Sequence, residues 1–112
     1  MRGNHRLIGR RDYTEPAPMT EEQRRRVASV QVVPRPGTKT WSSVTRAGIL
    51  LGHVTTRLWG QEFRTPEMTD WRRAANDWNP KDPPHGWAIL KLLEWIETHP
   101  TVSLTPTTQA AP

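Results

Sequence analysis

Cysteine is absent from this 112-residue chain, which excludes disulfides and thiolate metal sites and lets the chain fold in a reducing compartment. Long apolar runs are absent as well. The longest, AGILLGHV at 47–54, is interrupted by His53 and falls far short of the roughly 20 residues that span a bilayer as a helix. Arg10-Arg11 is followed by Asp12, Tyr13, Thr14 and Glu15, so the apolar segment of a twin-arginine export signal is missing. Together these absences point to a cytoplasmic protein.

Acidic residues are absent from Gln23 to Gln61, while Arg24, Arg25, Arg26, Arg35, Lys39, Arg46 and Arg57 fall in that stretch. The net charge of +5 is therefore uneven: residues 1–64 hold twelve Arg or Lys against five Asp or Glu, and residues 65–112 hold four against six. A block of unbalanced positive charge favours a polyanion, because each neutralised phosphate releases condensed counterions. A GC-rich genome accounts for arginine outnumbering lysine thirteen to three. It does not account for the missing acids.

Catalytic and metal-binding signatures are also lacking. His5, His53, His85 and His99 have no metal-ligand spacing, and there is no Gly-rich phosphate loop, nucleophile elbow or paired acid and base. We expect no metal, no cofactor and no enzymatic activity.

What the chain does have is tryptophan, six in all, against a low mean hydropathy of -0.76. Each aromatic side chain buries about 150–250 Å², so six of them let a small polar domain build a core. Both ends are polar and proline-rich. Residues 1–19 read as a disordered basic arm, in which Arg2, Arg6, Arg10 and Arg11 have the charge and reach for phosphate or minor-groove contact. Residues 100–112 read as a disordered tail.

The intervening domain, 20–99, reads as all-α: a small bundle of three principal helices, about 41–59, 66–78 and 84–98, with a short N-terminal helix at about 21–29. Thr20 followed by Glu21, Glu22 and Gln23 has the form of a capping box. Projected at 100° per residue, 41–59 gathers Trp41, Val44, Ala47, Leu50, Leu51, Val54 and Leu58 on one half and Ser42, Arg46, His53 and Arg57 on the other. Gly48 and Gly52, at about 1 kcal/mol each in a helix interior, leave open two short helices in a helix-turn-helix manner. The β-branched residues leave open a hairpin. In 66–78, Thr65 caps, Pro66 takes the first helical position, and Met68, Trp71, Ala75 and Trp78 form one stripe. Asp70, Arg73 and Asp77 stand opposite as a self-paired polar face. The apolar arc of 84–98 covers more than half the circumference and makes that helix the central one, with Trp95 inside the arc and Trp87 outside it.

The expected function is that of a non-enzymatic basic accessory protein that binds nucleic acid, DNA rather than RNA, through 23–61. The residues assigned to it are Arg24, the cationic member of its cluster least compensated by Glu21 and Glu22, with Ser42, Arg46, His53 and Arg57. The competing reading is a protein-binding module, such as a phage or bacterial inhibitor, adaptor or assembly protein. Its interface would be Trp87 with Lys91, one helical turn on and in position for a cation–π pair.

Overall fold

The computed structural model describes residues 14–37 and 41–99. The predicted arm up to residue 13 and the tail from 100 lie outside the described residues, as does Lys39.

The domain is mostly β, not an all-α bundle. In chain order it comprises α1 (Glu21–Ala28), β1 (Gln31–Pro34), β2 (Trp41–Arg46), β3 (Ile49–Arg57), β4 (Gly60–Arg64), β5 (Arg72–Ala75) and α2 (Gly86–Thr98). The five strands form one sheet in the order β1-β2-β3-β4-β5, every neighbour antiparallel. Among the described residues no helix is long and apolar enough to cross a membrane.

The expected helix at 41–59 is instead the β2–β3 hairpin. Ala47 and Gly48 both take positive φ, 52° and 80°, and so supply the tight turn whose twist suits antiparallel strands. Ser42 then lies opposite Val54, Ser43 opposite His53 and Val44 opposite Gly52, with a bulge between Val44 and Thr45. That bulge explains the helical misreading. It leaves Leu51 as an extra residue in β3 between the pairs Val44–Gly52 and Thr45–Leu50, so the two-residue alternation slips by one, with Leu51 buried in the core and Leu50 exposed.

The expected helix at 66–78 is a turn followed by an edge strand. Pro66 opens a single turn closed by the Met68 N–H donating to the Thr65 carbonyl at 3.1 Å. The chain then extends through Trp71 into β5, so Met68, Trp71, Ala75 and Trp78 do not form a helical stripe.

Both terminal helices form near their expected places. Thr20 and Gln23 make the capping box reciprocally: the Gln23 N–H donates to Thr20 Oγ1 at 3.1 Å and the Thr20 N–H to Gln23 Oε1 at 2.8 Å. Helix α2 lies across β3, β4 and β5, burying Ala88, Ile89, Leu90, Leu92 and Leu93 against Val44, Val54 and Phe63. Gly52 is where it comes closest. A Cβ there would sit 2.8 Å from Leu92 Cδ1 and 2.6 Å from the Arg64 carbonyl oxygen, so only glycine lets helix and strand approach this far. The Gln61 amide oxygen, buried beneath the helix, accepts from the Ala88 N–H at 3.1 Å and so satisfies one of its unpaired first-turn donors.

The segment before α1 is tied down. Met19 is buried in the core, its N–H donates to Asp82 Oδ1 at 2.9 Å, and Asn79 Nδ2 donates to the Pro16 carbonyl at 2.8 Å. The NPKDPP turn thus holds the start of the domain as well as leading into α2.

Candidate functional site

Strand side chains alternate between faces, so covering one face with α2 leaves every second residue of β2, β3 and β4 on the other. Val54 and Gly52 face the helix; Trp41, Ser43, His53, Thr55, Arg57, Glu62 and Arg64 therefore occupy the open face. Arg35, just after β1, and Trp71 and Arg73, at β5, extend it to both sides.

Arginines and tryptophans interleave across this face. The Arg35 guanidinium lies 4.5 Å from the Trp41 ring centroid. Arg64 lies 6.0 Å from Trp41 and 5.2 Å from Trp71. Arg57 lies 5.7 Å from Trp71 and 5.6 Å from Trp59. Trp41 and Trp71 meet edge to face at 5.9 Å. Cation–π attraction is worth about 0.5–1 kcal/mol at exposed sites, so the rings hold three arginines in place along the face.

A carboxylate, that of Glu62, lies among these cations. Glu62 Oε1 accepts from Arg57 Nε at 3.1 Å, and Glu62 Oε2 lies 3.7 Å from Arg73 Nε. Arg35, Arg57, Arg64 and Arg73 against Glu62 leave the face strongly positive.

His53 lies beneath the row. Its ring meets Trp41 edge-on at 5.0 Å, and its Nδ1 shares a 3.3 Å hydrogen bond with Ser43 Oγ. Burial pushes its pKa below the usual 6.5, and the charges of Arg64 and Arg35 push it the same way, which favours the neutral ring.

The residues expected to bind nucleic acid do not share one surface. Arg57 and His53 are together on the open face. Ser42 is on the opposite face beside Val54, lining a small cavity with Ile89 and His85. Arg46 ends β2 and donates to Ser29 Oγ at 3.0 Å. Arg24 is engaged near the NPKDPP turn, 3.6 Å from Asp82 Oδ1 and donating to the Met19 and Lys81 carbonyls. Trp87 is half-buried against the core, and Lys91 lies 3.5 Å from Glu94.

Sequence reasoning passed over Arg35, Trp41, Arg64, Trp71 and Arg73 as site residues. A two-residue period through 41–46 and 53–57 carries the signal for Trp41, His53 and Arg57, but only the topology brings Arg64 and Trp71 alongside them. Beyond Trp71 an open groove of about 790 Å³ rounds the β5 edge, lined by Arg72, Arg73, Lys91 and Trp95. Among the described residues no group of His, Asp or Glu could hold a metal ion. Comparisons with protein-family models, with curated proteins and with solved structures return no match for this chain.

Proposed function

We propose that this chain is a small non-enzymatic nucleic-acid-binding protein that lays the open face of its sheet on duplex DNA. The observation that carries the reading is the row Arg35, Trp41, Arg64, Trp71, Arg57, in which each guanidinium rests on an indole, with Glu62 paired to Arg57 and Arg73. Two arguments favour duplex over single strand and DNA over RNA. A single-strand platform presents bare rings to successive bases, whereas here Trp41 and Trp71 are half-buried and already have arginines over them. The major groove of B-DNA, about 12 Å wide, admits a two-stranded β-ribbon such as the β3–β4 hairpin of this face, while the deep, narrow major groove of A-form RNA does not. The arginine forks suit phosphate oxygens and guanine edges. The proposed setting is the cytoplasm, in keeping with a cysteine-free chain that needs no oxidising compartment to fold.

Fluorescence anisotropy with a labelled duplex tests the reading. Binding should weaken steeply with salt, and Arg57→Ala combined with Arg64→Ala should lower the log–log salt slope by about 1.8, or 0.9 per lost phosphate contact. Absence of binding at low salt rejects it.

A protein partner is the second reading, supported by β1. This strand lies at the sheet edge with Val32 and Val33 39% and 48% exposed, the situation in which a partner strand can add to a sheet. Protection of the Val32 and Val33 amides from hydrogen exchange as concentration or partner is raised would favour it.

A further inference from the structure

The β3–β4 turn is built from residues that neither turn geometry nor the core requires. Leu58 is 99% exposed and Trp59 is 56% exposed, the two most exposed large apolar side chains among the described residues. Two-residue hairpin turns favour Asn, Asp and Gly, yet the two positions between Arg57 and its partner Gly60 hold Leu58 and Trp59. Neither side chain belongs to the core cluster. The turn therefore holds a leucine and an indole out in water at a cost that folding does not offset.

Its position indicates what they meet. Arg57 touches both Trp59 and Trp71, so the turn is the end of the arginine–tryptophan row and not a separate patch. A polyanion lying along that row reaches the turn with its phosphates already engaged by Arg57. Of the groups such a ligand has, only the faces of its bases match an aliphatic tip followed by a flat ring. Apolar side chains that enter a base stack part it and kink the duplex, at a cost of a few kcal/mol per step repaid by the contacts the bend permits.

We infer that the Leu58–Trp59 turn is a wedge that enters the base stack of duplex DNA: Leu58 parts one base step and Trp59 stacks on the exposed base. This inference rests on the sheet-face reading above and names what that face does to its ligand. A membrane surface is the competing occupant of an exposed Leu-Trp pair. It is disfavoured because the arginines run away from the turn along one face instead of ringing it, and because two side chains alone offer little area for stable insertion.

The test uses the full chain and a duplex carrying, at successive positions, a fluorescent adenine analogue whose emission is quenched by stacking. Wild type should bind and raise the emission at one step, at the base that Leu58 faces and not at the base that stacks on Trp59. Leu58→Ala combined with Trp59→Ala keeps every arginine of the face, and should bind more weakly but with the same salt slope while losing the emission rise. Wild-type binding with no rise at any position overturns the wedge and leaves the sheet-face reading standing. A rise that persists in the double variant also overturns it. Sedimentation with anionic phosphatidylserine vesicles that depends on Leu58 and Trp59, without unstacking of DNA, overturns it in favour of a membrane. Failure of wild type to bind duplex at low salt overturns the face reading and the wedge together.

Discussion

Val54 and Thr55 are neighbours in β3, and both are completely buried, yet different chemistry covers them. Val54 lies under the aliphatic side chains of α2 in a core with Phe63, Ile89 and Leu92. Thr55 lies on the other face, between Trp41 and Glu62 in the flanking strands, where indoles, guanidiniums and one carboxylate form the cover. The helix side is held by apolar area removed from water, at roughly 25 cal/mol per Å². The open side is held by cation–π contacts and ion pairs between partly exposed groups, which are individually weak and can be exchanged for a ligand's charges. Stability and the proposed binding therefore fall to alternate residues of the same strands.

The sharpest way to break this division is at α2. Leu92→Ala should lower the unfolding free energy by about 2–5 kcal/mol in urea titrations, while the fraction that remains folded binds DNA as before. Gly52→Ala should cost about 1–3 kcal/mol by overpacking the same contact, again without touching the open face. Conversely, Arg64→Ala should cost about 1–3 kcal/mol of DNA binding if the arginine forks onto a base or phosphate, with little change in the denaturation midpoint. Arg46→Ala should weaken binding much less than Arg57→Ala, because Arg46 leaves the row and caps the far end of the sheet.

Acid should act on both faces through histidine. His53 lies under the open face, and His85, hydrogen-bonded to Thr56 Oγ1 at 2.8 Å, lies at the start of α2. Burial lowers both pKa values, with Arg64 and Arg35 adding to the effect at His53. Well above the ordinary value of about 6.5 folded and unfolded chains are both neutral at these sites and neither histidine costs stability. Below it the unfolded chain takes up protons that the folded chain refuses, so stability falls as pH falls. Denaturation midpoints at pH 7.5 and pH 5.5 should differ in that direction, and His53→Asn or His85→Asn should each remove part of the difference.

The smallest effects lie away from both faces. Thr20→Ala should cost about 1 kcal/mol through the lost cap of α1. Ala47→Gly should stabilise by roughly 0.5–1 kcal/mol, since alanine at φ 52° carries a left-handed strain that glycine lacks, partly offset by glycine's entropy. Thermal melts should resolve both signs.

Local signals in the sequence translated directly where one turn of chain decides the outcome. Thr20 with Gln23 marks the start of α1, and the wide apolar arc with Pro100 beyond it marks α2 as the central element. The sheet was illegible for a specific reason. The bulge at Val44/Thr45 and the adjacent Leu50 and Leu51 imitate a helical period, and Pro66 and Glu67 imitate a helix start in what is one turn before an edge strand. The positive patch was legible as an acid-free stretch, but its membership was not. Helical projection placed Ser42 with Arg57, whereas strand alternation puts them on opposite faces and brings in Arg64 and Trp71 from outside the stretch.

The order of elements has a consequence for biosynthesis. The ribosome delivers all five strands before α2, and α2 supplies Ala88, Ile89, Leu90, Leu92 and Leu93 to the core. Until those residues leave the exit tunnel, Val44, Val54 and Phe63 face water, and a five-strand meander carries an uncovered apolar face with two open edges. The sheet therefore gains its cover only once α2 has been synthesised. A chain stalled in the NPKDPP turn would be a substrate for chaperones or proteases instead of a half-folded domain.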